Sequence, residues 1–365
     1  MARFFSFLGH FFSKQARRNS LHDLSGLAKS DAVFGNLVTE SKVPGMSVTV
    51  FKKGEKILEK GYGHSSLEKE NSINTEDTIF RIASISKCIT GLALGKMVEE
   101  GLMDWDTSFY EYVPDYPKKK YDFTIRQLAS HTAGIRGYQG KEFALNQAYG
   151  IKDSIHIFKD DPLVFEPGKG YLYNSYDFVL LSLAMQEAGK MPFENYVEKK
   201  VLVPIGMLKT TIPEKKDPKL GLESLRSTAE FYTKTSTGFK NAVKVNNFYK
   251  LAGGGYLSTS NEIAKLGQAI LEGELLKKET YDQLFTPQQI KGVSTYYGLG
   301  FQVSQDAKGR RFVGHVGNSV GAYSNLFVYP EEQVVVSILT NCTAPNIQDD
   351  LDNAINSLFD STPLS

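Results

Sequence analysis

The chain has 365 residues, 41% of them hydrophobic and 23% charged, and its 42 Lys and Arg against 41 Asp and Glu leave a formal charge of +1. That is an ordinary globular composition, with length for one large domain or two modest ones. It holds no basic surplus that would steer the protein toward nucleic acid or an acidic polymer.

Residues 1–20 carry Arg3, Lys14, Arg17 and Arg18 and no acid. Phe4, Phe5, Leu8, Phe11 and Phe12 recur at helical spacing, so a helix here is amphipathic. Four readings fit. One is a secretory signal, although His10 interrupts the apolar stretch and no A-x-A site follows. The others are a mitochondrial presequence, a membrane-surface helix and a helix packed on the domain. Residues 1–34 are set apart as an N-terminal amphipathic segment, with membrane-surface association through residues 1–20 as one expectation. The location expected is extracytoplasmic, membrane-associated or mitochondrial. No run is long enough to span a membrane.

From about residue 35 the chain reads as continuously folded, without repeats. Met46 to Phe51 is a valine-rich strand, Lys52-Lys53-Gly54-Glu55 a turn, and Lys56 to Tyr62 the returning strand of a hairpin. A helix begins near Ser84, with Ile85, Cys88, Ile89, Leu92 and Met97 on its apolar face and Gly101 as its stop. Residues 104–250 are mixed, the clearest helices being Thr124 to Ser130 and Phe178 to Ala188. Tyr323 to Tyr329, a turn at Pro330-Glu331-Glu332, and Val334 to Leu339 form a second hairpin. Ile347, Leu351, Ala354, Ile355 and Leu358 mark a last amphipathic helix. The predicted class is α+β. Residues 35–103 and 251–365 pair their strands in one antiparallel sheet flanked by helices, and residues 104–250 form a mostly helical subdomain. A site is expected in the cleft between the two parts. Cys88 and Cys342, far apart and in no metal-ligand spacing, read as two buried free thiols.

Three motifs carry chemistry. In Ser84-Ile85-Ser86-Lys87, residues three apart on a helix sit one turn above each other, so the Lys87 amine reaches the Ser84 hydroxyl. A serine needs a base to become a nucleophile, and a lysine serves once burial lowers its pKa. The second copy of the pattern, Ser66-Leu67-Glu68-Lys69, has no apolar rhythm behind it and reads as a surface turn. Tyr171-Leu172-Tyr173-Asn174-Ser175 offers a phenol that shuttles a proton, or else a tyrosine packed in a core. Gly314-His315-Val316-Gly317-Asn318 offers a strand edge that an extended acyl group can approach. The Asn318 and Ser84 amides are candidates for an oxyanion hole.

Ser-x-x-Lys, then a tyrosine motif, then His-x-Gly, in that order, resembles the serine beta-lactamases and DD-peptidases, in particular their class C-like branch with its esterases and peptidases. The similarity runs from about residue 35 to 359 and includes Phe80 to Lys87, Ile125 to Ile135, Gly253 to Thr259 and Tyr297 to Phe301. Arg81 to Lys87 and Asp161-Pro162-Leu163 look like the mitochondrial beta-lactamase-like peptidases. The resemblance implies a serine hydrolase that works through an acyl-enzyme without a cofactor or metal. Its substrate is a small molecule or peptide with an amide, ester or lactam carbonyl. The resemblance also implies Ser84 as nucleophile, Lys87 and Tyr173 sharing the proton, and the Ser84 and Asn318 amides holding the oxyanion. His315, Gly317, Gln139 and Ser175 are expected to bind substrate. Two departures favour a peptidase or esterase over a lactamase. Ser175 stands where the family has Asn, and His315 where lactamases have a cationic lysine. The competing expectation is a catalytically weak relative used for binding or scaffolding. Glu142-Phe143-Ala144-Leu145-Asn146 matches a class A lactamase pattern but precedes Tyr173, and reads as coincidence. Lys118-Lys119-Lys120 reads as a solvated turn.

Overall fold

The computed structural model describes residues 18–213 and 227–360. Residues 1–17, most of the amphipathic stretch, lie outside the described residues. No described helix is long and apolar enough to cross a membrane.

Helix α1 (Gly26–Thr39) leads into the first hairpin, β1 (Gly45–Lys52) and β2 (Glu55–Ser66), close to the limits the sequence predicts. A short strand β3 (Asn71–Ser72) lies beside β2. Helix α2 (Ser86–Glu99) follows the nucleophile turn. Helices α3 (Ile125–Ala129) and α4 (Tyr176–Gly189) belong to the middle of the chain, and α5 (Ser260–Glu272) returns it to the sheet. Strands β4 (Gln302–Gln305), β5 (Arg311–Ser319), β6 (Ala322–Tyr329) and β7 (Val334–Thr340) precede the last helix, α6 (Gln348–Ser357).

The main sheet has seven antiparallel strands in the order β4-β5-β6-β7-β1-β2-β3. The two hairpins meet where β1 pairs β7, with Met46 opposite Thr340 and Lys52 opposite Val334. That contact joins strands from opposite ends of the chain, as expected for an α+β sheet closed by its termini. Central β7 reads Val-Val-Val-Ser-Ile-Leu-Thr and is buried throughout, because helices cover both faces of the sheet. One core lies between the sheet and α1 with α6, around Phe34, Val48, Ile338 and Leu351. The larger core lies on the other face, where Leu92, Phe178, Ile263 and Leu326 pack together. Some of the polar groups there are paired. The Ser260 hydroxyl at the start of α5 lies 2.7 Å from that of Ser47 and 2.9 Å from that of Thr49 on β1.

Cys88 and Cys342 are buried free thiols, as expected. The Lys118-Lys119-Lys120 turn departs from its reading. Lys118 and Lys120 are exposed, but the Lys119 ammonium donates to the carbonyls of Lys159 and Asp161, which capture it from solvent.

Candidate active site

The nucleophile sits on a 3-10 turn, Ala83–Ile85, that runs directly into α2. Three long-range ties hold it. The short strand Phe80–Arg81 pairs with Leu257–Ser258. The Ser324 hydroxyl of β6 donates to the Ile82 carbonyl at 2.7 Å, and the Tyr256 N–H donates to the Ser86 hydroxyl at 3.2 Å. Between these ties Ala83 adopts φ +48°, a left-handed conformation that costs an alanine about 1–2 kcal/mol. The strained residue is small and directly precedes Ser84, so the strain is stored where the turn presents its hydroxyl.

Lys87 is fully buried one helical turn on, and its ammonium lies 3.4 Å from Ser84 Oγ. Its stronger partner is the Gly253 carbonyl, at 2.5 Å. Burial, reinforced by the nearby Lys250 cation, brings the Lys87 pKa down from 10.5 to about 7, so an uncharged amine is available near neutrality. Tyr173 comes from the irregular segment before α4, and its hydroxyl donates to Ser84 Oγ at 2.7 Å. The residue is 40% exposed, yet desolvation of its hydroxyl pushes the phenol pKa upward, so it is a neutral phenol and not a phenolate that faces the serine.

Behind Tyr173 stands a buried pair that sequence reasoning did not assign. His131 Nδ1 lies 2.8 Å from Asp177 Oδ2, and burial drives both groups toward their uncharged forms. The His131 ring packs edge-on against the Tyr173 ring at 4.6 Å between centroids, and the His131 carbonyl accepts from the Leu172 N–H. Asn174 turns away from the cleft, as its register requires. Its amide donates to Asp177 Oδ2 at 2.6 Å and its oxygen accepts from the Asp177 N–H. The peptide on either side of Tyr173 is thereby fastened to one buried cluster.

Strand β5 supplies the opposite wall. Val316 N–H donates to the Gln302 side chain, so it points away from partner strand β6. Alternation along a strand gives Asn318 N–H the same direction. Pairing with β4 ends at Gly314, which leaves this edge open toward the nucleophile turn. Gly317 permits the approach, since a Cβ there would lie 2.3 Å from Ser324 Oγ and 2.8 Å from the Ile82 carbonyl. A cavity of about 240 Å3 opens between the walls, lined in part by Ser84, Tyr138, Ser175, Lys250, Gly253 and Asn318.

The expected site residues thus divide. Ser84, Lys87 and Tyr173 converge within hydrogen-bond reach, and Ser175 and Asn318 line the same cavity. Gly317 sits under the strand as a spacer. Two expectations need correction. His315 does not line the cavity. It is 1% exposed, with Nε2 at 3.1 Å from the Tyr297 hydroxyl and Nδ1 against the Val316 carbonyl. Burial lowers its pKa to about 3, so it is a neutral ring behind Tyr173. Gln139 is exposed and outside the cavity lining, because its N–H is tied to Glu142 Oε2 at 2.7 Å and Gly140 turns the chain outward. Glu142 itself receives Arg136 at 2.7 and 3.1 Å and the Tyr176 hydroxyl at 2.9 Å, an ion-pair role consistent with coincidental motif matching. Among the described residues no cluster of three or more His, Cys, Asp or Glu is placed to hold a metal ion.

An antiparallel sheet flanked by helices, with a serine, a lysine and a tyrosine meeting at its edge, defines the class of serine beta-lactamases and transpeptidases. A family model described as Beta-lactamase matches residues 30–358, and the chain belongs to that family as a beta-lactamase-related serine hydrolase. Serine beta-lactamase-like protein LACTB, mitochondrial, of Homo sapiens is 28% identical over 390 residues, covering 80% of this chain and 70% of its own. Penicillin-binding protein 4* of Bacillus subtilis strain 168 is 22% identical over 310 residues, covering 81% and 67%. Among solved structures, the octameric penicillin-binding protein homologue from Pyrococcus abyssi has a TM-score of 0.79 at 25% identity, covering 90% of this chain and 76% of that one. D-amino acid amidase from Ochrobactrum anthropi SV3 shares the fold, with a TM-score of 0.79 at 17% identity over 90% and 98%.

Proposed function

We propose that the protein hydrolyses an amide, peptide or ester through an acyl-enzyme on Ser84, with little or no lactam turnover. The observation that carries this is the convergence on Ser84 Oγ of the Tyr173 hydroxyl at 2.7 Å and the Lys87 amine at 3.4 Å. With one N–H on the Gly253 carbonyl, neutral Lys87 turns its lone pair to the serine and takes its proton as Oγ bonds the substrate carbon. The Ser84 and Asn318 amides hold the oxygen that becomes negative. Tyr173 then gives its proton to the leaving nitrogen or oxygen as the carbonyl re-forms, and recovers one from Lys87. A water attacks the ester by the reverse proton path and releases the acid. Ser175 in place of an asparagine, and a hidden neutral His315 in place of a surface cation, favour peptidase or esterase substrates over lactams.

A panel of esters, D-amino peptides and lactams, run on wild type and Ser84→Ala, tests the proposal alongside labelling by a serine-directed phosphonate. Turnover and stoichiometric labelling that both vanish in Ser84→Ala support it. Labelling that persists in Ser84→Ala refutes it. A wild type that never forms an adduct favours the reading as a binding or scaffold protein.

A further inference from the structure

The cavity beside Ser84 holds one charge that the proposed chemistry does not use. Lys250 is the only charged side chain among its described lining residues, and it is 6% exposed. It precedes the turn that carries the Gly253 carbonyl, and it lines the same cavity as Asn318 of β5. One of its three N–H donors goes to the Phe143 carbonyl at 2.9 Å, and its ammonium lies over the rings of Tyr138 and Tyr249, 5.2 and 5.6 Å from their centroids. Among the described residues no Asp or Glu pairs with it. A second cation deepens the imbalance. Arg81 is held against the Phe231 ring and donates to the carbonyl of Val320, itself a cavity residue, and no described carboxylate pairs with Arg81 either. Two cations therefore flank a recess walled by Ala83, Gly253, Gly254 and Val320, with no described anion facing them. A buried cation without a counter-ion is costly, and a low-dielectric cleft focuses its field on whatever enters.

We propose that Lys250 is a specificity-determining residue that seats a carboxylate of the substrate, so that the favoured substrates are anionic amides or esters. This rests on the reading of Ser84 as the nucleophile, and it adds the charge of the molecule that the nucleophile attacks. The anion completes the donor set of Lys250 and offsets the field of Arg81, while the scissile carbonyl lies between Ser84 and Asn318. The strand wall offers no competing cation, since His315 is neutral and hidden.

Two matched ester pairs test this. 7-Hydroxycoumarin esters of N-acetylglutamate and N-acetylglutamine put the charge on the acyl group. 3-Carboxyphenyl and 3-carbamoylphenyl esters of N-acetylglycine put it on the leaving group. Wild type is expected to favour the carboxylate member of one pair by about tenfold or more in kcat/KM, the size of one charge-assisted hydrogen bond in a shielded site. Lys250→Met should bring that ratio to within about twofold, and Lys250→Arg should keep most of it. Equal turnover of both members of both pairs by wild type, or a preference that survives in Lys250→Met, overturns the inference. Calorimetric titration of the same pairs into Ser84→Ala reads the charge preference without chemistry. Tighter binding of a carboxylate member supports the inference even where no ester is turned over, and absent turnover then counts against the Ser84 reading alone. Equal binding of both members overturns the inference.

Discussion

Replacing Lys87 by Met should change how stability depends on pH, in a direction set by the burial of the amine. Lysine ordinarily titrates near 10.5, and in the folded chain Lys87 titrates near 7 because no water reaches it. Between those two values the unfolded chain binds more protons than the folded one, so stability rises with pH across the window and levels off outside it. Linkage puts the penalty of the ordinary lysine at about 4 kcal/mol at pH 7 and about 2 kcal/mol at pH 9. Wild type should therefore gain about 2 kcal/mol more than Lys87→Met between those two pH values, every other group being common to both. Methionine is close to lysine in volume and leaves the Gly253 carbonyl without its donor, which costs about 1–3 kcal/mol at either pH and cancels from the comparison. Urea unfolding of both proteins at pH 7 and pH 9 reads the difference directly. Two proteins whose midpoints move in parallel would refute the claim that Lys87 is carried uncharged.

Three further outcomes follow from the same geometry. Acylation of wild type should rise with pH and level off above about 7, because the base is active once Lys87 loses its proton. The raised pKa of Tyr173 means that phenol ionisation should bring no alkaline fall up to about pH 10. Single-turnover rates from pH 5 to 10 check this. Tyr173→Phe should lower the acylation rate by about a hundredfold or more while leaving the unfolding midpoint nearly unchanged, since the residue is 40% exposed and its ring contacts survive. Gly317→Ala should reduce both activity and thermal stability, because its Cβ would lie 2.3 Å from Ser324 Oγ and force β5 off the nucleophile turn. An alanine variant with wild-type kinetics would show that the strand edge has no part in the site.

Much of the architecture was legible because local periodicity and global pairing agree. The hairpin of β1 and β2 announces itself by valines around a Lys-Gly turn, and β7 by an apolar run bounded by turn residues. The helix after Ser84 was legible from its apolar positions, although all of it but Lys96, Val98 and Glu99 is buried. Helix α1 was missed, since its buried face mixes Val33, Phe34 and Leu37 with Gly26, Ser30 and Ala32, and small residues blur the 3.6 period. The convergence of Ser84, Lys87 and Tyr173 was legible as a motif order. The strained turn that aims the serine was not, because it depends on Ser324 and Tyr256, far away in sequence. His315 faces the Tyr297 side of its strand, a matter of which aromatic packs beneath it. Lys250 had one visible trace, a lysine inside the apolar run Phe248-Tyr249-Lys250-Leu251-Ala252 before three glycines. Only the fold shows that it faces the same recess as Ser84.

Lys87 is steered by the oxygen of Gly253, an atom that every residue at that position would also possess. No codon change at 253 can delete it, so a side-chain scan of the neighbourhood would miss this partner of the lysine. Moving it takes a shift of the peptide itself, through the crowding of a new side chain against Phe178 and Ser175, and weakening it takes an ester linkage in place of the amide. The protein has thereby placed the aim of its proposed base in the one part of the chain that point mutation cannot erase.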